Sequence, residues 1–120
     1  MSRNRAVIVA VAVLIVVVAF GVIVYMEVGQ GAGQARTVDV KVSGSRMTPD
    51  RINVHQNDEV TMNVTADKKE EIHLHGYDIA FEVEAAGDTV KHTFKADKTG
   101  TFAIEIEDTS TPLGDLVVSP

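Results

Sequence analysis

Cysteine and tryptophan are missing from the 120 residues altogether, and proline occurs only three times. The lack of cysteine excludes disulfides, thiolate zinc sites, iron–sulfur clusters, cysteine nucleophiles and a lipid-modified cysteine. It leaves the redox compartment open, because oxidising surroundings permit disulfides without demanding them. Aromatic side chains are scarce too. Beyond residue 36 the only rings of that class are Tyr77, Phe81, Phe94 and Phe102, so a core there must be built from Val, Ile, Leu and Met. Positive charge is also short. Residues 37–120 hold 8 Lys and Arg against 16 Asp and Glu, a net of −8. That balance argues against a nucleic-acid partner, since a phosphate backbone is gripped by clustered cations. No serine–histidine–acid spacing, glycine-rich phosphate loop or HExxH helix is present, and the chain reads as a binding protein and not as an enzyme.

What is present divides sharply. Residues Ala6 to Met26 form 21 consecutive uncharged, almost wholly aliphatic positions. As a helix they would span roughly 31 Å, close to the hydrocarbon thickness of a bilayer. Valine and isoleucine favour strands in water, but a lone segment in lipid satisfies its backbone only as a helix. Arg3 and Arg5 precede the run and Glu27 follows it. The positive-inside tendency therefore keeps residues 1–5 in the cytoplasm and sends the remainder across. A cleaved signal peptide is the competing reading, with Gly33 and Ala35 among its small residues. Its apolar core would usually be only about 7–15 residues long, which favours an uncleaved anchor over residues 6–26. Under either reading the rest of the chain lies outside the cytoplasm, with the membrane as its first partner.

Residues 27–36 contain Gly-Gln-Gly-Ala-Gly-Gln-Ala-Arg and read as a flexible tether of about 15 Å root-mean-square reach. Residues 37–120 are enough for one small domain. There, apolar residues alternate with polar ones. Val38, Val40 and Val42 do so, as do Ile52 with Val54, and Val60, Met62 and Val64. The same period recurs at Ile79, Phe81 and Val83, from Val90 to Phe94, at Phe102, Ile104 and Ile106, and at Leu116 with Val118. Turn formers lie between, including Ser43-Gly44-Ser45, Lys98-Thr99-Gly100 and the stretch Thr109 to Gly114. Seven or eight short strands at spacings of about 8–12 residues predict an antiparallel β-sandwich or barrel.

The chemistry concentrates in Glu70-Glu71-Ile72-His73-Leu74-His75-Gly76-Tyr77-Asp78. On a strand, His73 and His75 share a face with their Cα atoms about 7 Å apart. Neutral imidazoles on one face are a common start for a copper or zinc site, but two are too few for tight, selective binding. Parity limits where a third can come from. Ile72 and Leu74 are even, whereas Tyr77, Ile79, Phe81 and Val83 are odd. Either the odd face is the core face throughout and both histidines point inward, or the chain switches faces near Gly76, as a bulge would allow. His92 shares its face with Val90 and Phe94. The expectation is that His73, His75 and His92 meet at one end of the sandwich. The plainer reading makes one or two of them hydrogen-bonded structural histidines, helped by Glu70, Glu71 or Asp78. His55 reads as a surface residue and Met47 and Met62 as core. Glu105, Glu107, Asp108 and Asp115 form an acidic end that could attract cations, although a solvated face is the usual meaning of such a set.

Taken in order, Met47 to Val54, Asn57 to Val60, Glu71-Ile-His-Leu-His-Gly76, Gly100-Thr-Phe102 and Leu113 to Val118 resemble a cupredoxin-like domain over nearly all of residues 37–118. The resemblance implies a Greek-key β-sandwich outside the cytoplasm and, in copper-bearing members, one copper at an end of the sandwich. It also implies a first histidine ligand where His73 or His75 stands. In blue-copper members a cysteine follows near Ile106, then a histidine and usually a methionine. Here that region reads Ile106 to Leu113 with none of them, so a blue-copper electron carrier is excluded. The combined expectation is a single-pass, membrane-anchored module binding or delivering copper or a similar ion through His73, His75 and His92. Its alternative is a metal-free structural or protein-binding module beside a membrane-protein partner.

Overall fold

The structure is a computed structural model, and it describes residues 33–120. The proposed cytoplasmic residues 1–5, the helix over 6–26 and the first six residues of the tether lie outside the described residues. Alternation of apolar and polar side chains produces strands throughout the described part: β1 (Ala35–Ser43), β2 (Arg46–Thr48), β3 (Arg51–His55), β4 (Glu59–Ala66), β5 (Glu70–Leu74), β6 (Ile79–Val83), β7 (Thr89–Lys95), β8 (Gly100–Ile106) and β9 (Thr111–Ser119). They form two sheets, one of four strands in the order β2-β1-β4-β7 and one of five in the order β3-β9-β8-β5-β6. The β1–β4 and β3–β9 pairs are parallel and the rest antiparallel.

One apolar core is shared by both sheets. Val40, Val42, Val60, Met62 and Val64 fill it from the four-stranded sheet. Ile72, Leu74, Phe81, Ile104, Leu116 and Val118 fill it from the five-stranded sheet. Met62 and Met47 are buried there, Met62 as its alternation with Val60 and Val64 predicts. Aliphatic side chains supply nearly all of this packing, and Phe81 is its one fully buried ring.

The strand count exceeds the seven or eight expected because β2 has only three residues, too few to show alternation. Two boundaries also differ. β1 begins at Ala35, inside the stretch read as tether, because Asp58 reaches it. The Asp58 carboxylate accepts hydrogen bonds from the Gln34 and His55 backbone N–H groups at 2.8 and 2.9 Å, and from Arg36 Nε at 3.3 Å. At the other end, Thr111 to Gly114 is strand and not turn. Ile104 pairs with Gly114 but Glu105 pairs with Pro112, which leaves Leu113 as an extra residue. That bulge lets Leu113 and Leu116, three apart, both face the core.

Candidate metal centre

Strand pairing decides which way the histidines face. Ile72 and Leu74 are fully buried, so His73 between them lies on the outer face of the five-stranded sheet. The expectation of inward-facing rings is thereby corrected. The change of parity after Leu74 comes from a hairpin and not from a bulge. Leu74 pairs with Ile79 and Ile72 with Phe81, which leaves the four residues His75 to Asp78 as the turn. An even residue on β5 therefore shares the core face with an odd one on β6.

This turn is held by close packing. Gly76 has φ +85°, and a Cβ there would collide with the Phe102 ring, so only glycine fits. Tyr77 follows and packs its ring against Phe94 and Phe102, with centroids 5.2 and 5.0 Å away. Its hydroxyl donates to the Lys98 carbonyl at 2.8 Å and accepts from the Lys98 N–H at 3.0 Å. Burial pushes the Tyr77 phenol above its ordinary pKa. Lys98 closes the cluster, with Nζ 4.5 Å above the Tyr77 ring and donating to the Gly76 carbonyl. The short apolar cluster thus fixes the segment that carries His75 and Asp78.

On the outer face, β8 brings its carboxylates beside β5. His73 pairs with Glu105, and the Glu107 N–H donates to the Glu71 carbonyl, which carries the same register one step further. Glu105 therefore stands opposite His73 and Glu107 opposite Glu71, so that Glu107 reaches His73 and Glu105 reaches His75 diagonally. His73 Nδ1 stands 3.5 Å from His75 Nε2 and 3.6 Å from Glu107 Oε1. One ligand atom from each of His73, His75 and Glu107 lies within 4.8 Å of the other two. Glu105 Oε2 accepts from His75 Nε2 at 2.8 Å, and Asp78 Oδ1 accepts from His73 Nε2 at 3.0 Å. The two imidazoles meet edge to face with centroids 4.5 Å apart. His73 is the shielded member, its side chain 16% exposed, whereas those of His75 and Glu107 are 44 and 45% exposed.

These distances have a chemical consequence. An ionised carboxylate only accepts, so a neutral His73 bonded to Asp78 carries its proton on Nε2. Its Nδ1 then presents a lone pair toward Glu107. A lone pair and a carboxylate oxygen at 3.6 Å repel unless a cation, a proton or a metal ion, lies between them. Two donors held tetrahedrally at about 2.0–2.1 Å from a metal lie about 3.3 Å apart, so the observed edges of 3.5 and 3.6 Å need little adjustment. His73, His75 and Glu107 thus form a group that could hold a metal ion, with the His75 Nε2 proton shared with Glu105 displaced on binding.

His92 does not join this group. It pairs with Met62 on β7 in the other sheet, and its exposed ring lies edge-on to Phe81 at 5.0 Å. Its even parity did place it with Val90 and Phe94, but β7 is an edge strand and leaves it open to solvent. Glu107 takes the third place. The sequence contained that signal as two carboxylates two residues apart on one strand, but not the register that sets them against His73. His55 is exposed, as read from its alternation.

A family model for the cupredoxin-like domain matches residues 12–118. The chain belongs to the cupredoxin-like domain family. No curated protein matches it. Among solved structures, the cupredoxin-like chain is similar to the metal-binding domain of the Streptococcus pneumoniae D39 Cu(I)-exporting P-type ATPase CopA, with 10% identity and a TM-score of 0.60 over 77% of this chain and 100% of that one. It is similar to auracyanin from Roseiflexus castenholzii, with 12% identity and a TM-score of 0.58 over 73 and 100%. A multicopper oxidase, mgLAC, gives 22% identity and a TM-score of 0.55, but the chain spans only 39% of its length. At such identities the likeness carries the fold. In this cupredoxin-like domain the cysteine position suggested by resemblance is held by Ile106, which pairs with Ile72 on the core face. It stands on the opposite side of the sheet from His73, in keeping with a chain that has no cysteine.

Proposed function

We propose that this protein is a metal-holding cupredoxin-like module that binds copper or a similar transition-metal ion through His73 and His75, with Glu107 as third donor in place of His92. The single observation that carries the reading is the convergence of His73, His75 and Glu107, each with one ligand atom within 4.8 Å of the other two. Copper-handling structures with the same fold support it, among them the metal-binding domain of the Cu(I)-exporting ATPase. With no thiolate and no redox-tuning axial set, the role is holding or delivery and not blue-copper electron transfer. The sequence over residues 6–26 supports a single-pass anchor with this domain on the extracytoplasmic side, where a membrane-protein partner could receive the ion.

One bound ion would be held by the two imidazoles and the Glu107 carboxylate, with Glu105 beside His75 as a further oxygen. The test is titration of the purified full chain with Cu(II) by calorimetry, against a His73→Ala/His75→Ala double variant. One equivalent bound by the parent and none by the variant is the expected result. Equal binding by both would remove this site and leave the alternative of a metal-free, protein-binding module.

A further inference from the structure

We infer that Asp78 is a positioning residue which commits His73 to binding through Nδ1, and that the resulting nitrogen–oxygen set selects divalent ions of the copper(II) and zinc type over Cu(I). The inference rests on the metal-holding reading and specifies its ligand. The donors that would face a bound ion are His73 Nδ1, His75 Nε2 once the ion displaces the proton it shares with Glu105, and one or two carboxylate oxygens from Glu107 and Glu105. Cu(I) prefers thiolate and thioether donors. The domain has no cysteine, and Met47 and Met62 are both buried in the core and not at the site. A hard carboxylate oxygen among the first donors favours the divalent ion.

Asp78 decides which nitrogen is offered. It ends the hairpin turn with φ +53° and aims its carboxylate at His73 Nε2 from the far side of the ring. The nitrogen left free by such a bond is the one that takes the metal. Without Asp78, the proton of a neutral His73 could move to Nδ1, where it would face Glu107 Oε1 3.6 Å away and occupy the lone pair a metal needs. A carboxylate behind a ligating imidazole also makes the ring a stronger base toward the metal.

The experiment uses the full chain, an Asp78→Gly variant, which keeps the positive φ without strain, and an Asp78→Asn variant, which restores an acceptor. Nitrogen-15 NMR of the metal-free protein reads the His73 tautomer, and competition titrations compare Zn(II), Cu(II) and anaerobic Cu(I) against chelators. Expected are an Nε2–H tautomer in the parent and a mixture in Asp78→Gly. Zn(II) affinity should fall by about 10-fold in Asp78→Gly and recover in part in Asp78→Asn. Cu(I) should bind the parent at least roughly 100-fold more weakly than Cu(II). A parent His73 protonated at Nδ1, or an unchanged Zn(II) affinity in Asp78→Gly, would overturn the positioning role. Tighter binding of Cu(I) would overturn the selectivity while sparing the metal-holding reading. Failure of all three ions to bind would overturn both.

Discussion

The outer faces of the two sheets are made by the same alternation, yet one is closed to ligands and the other open. On the four-stranded sheet the outward side chains satisfy one another. Thr61 bonds Thr93 at 2.9 Å, Thr65 bonds Thr89 at 2.7 Å, and Asn63 donates to Asp39 at 2.9 Å. Each hydroxyl can both give and accept, so cross-strand pairs need nothing further. On the five-stranded sheet, His73, His75, Glu105 and Glu107 stand together with more acceptors than donors. The buried acids repeat the contrast. Asp58, which ties β1 to the turn before β4, has three donors, whereas both oxygens of Glu70 at the start of β5 lack any partner. A sheet whose polar groups are satisfied internally is scaffold. One that leaves acceptors over is where a cation can be held.

The largest expected effect breaks the open face itself. Removing both imidazoles in the His73→Ala/His75→Ala variant should cost at least about 100-fold in Cu(II) affinity, read by calorimetry, because one carboxylate of moderate exposure holds an ion only weakly. Glu107→Gln removes the charge and keeps the shape. A loss of about 10-fold in affinity is expected, whereas His92→Ala should leave binding unchanged. If His92→Ala weakens binding more than Glu107→Gln, the assignment of the third donor reverses.

Stability then sharpens the comparison between the two acids. Asp58→Ala should destabilise the domain by about 2–3 kcal/mol at neutral pH in denaturant unfolding, since it removes three charge-assisted hydrogen bonds, from the Gln34 and His55 N–H groups and from Arg36. Burial alone would raise the Asp58 pKa, but the Gln34 and His55 N–H groups and Arg36 together hold it below its usual value. Its contribution is therefore present above the ordinary aspartate range and is lost as pH falls through the lowered value. Glu70 has the opposite sign. Burial raises its pKa, with Lys68 only partly opposing. The folded state holds that proton more tightly than the unfolded chain, so stability falls as pH rises from about 4.5 through the raised value. Glu70→Met should stabilise by about 1–2 kcal/mol at pH 7 and by less at pH 4. A Glu70→Met variant that loses stability at pH 7 would show that the carboxyl has a partner. The smallest effect belongs to the closed face: Thr61→Val with Thr93→Val should change stability by less than about 1 kcal/mol and leave metal affinity untouched.

Much of the architecture was legible from alternation. The runs Val38-Val40-Val42, Val60-Met62-Val64 and Ile79-Phe81-Val83 show which residues face inward, because successive side chains on a strand point to opposite sides. The three-residue β2 escaped because no period is visible in Arg46-Met47-Thr48. The strand Thr111 to Gly114 escaped because its bulge breaks the period at Leu113. At the site, the shared face of His73 and His75 could be read directly. Which face it was could not, since both parities were populated by apolar residues.

Local pattern alone determined a β-rich domain with an aliphatic core, paired imidazoles two residues apart and no thiolate with which to build a blue-copper centre. These follow from side-chain chemistry and the two-residue period of a strand, neither of which needs a distant partner. The outward direction of His73, its meeting with Glu107 and the separation of His92 were decided only by the tertiary structure. Those outcomes depend on which residue of β8 lies opposite which residue of β5, and on His92 standing in the opposing sheet. Such register is set by the packing of the whole core, and a one-residue slip would have turned every one of these side chains to the other face.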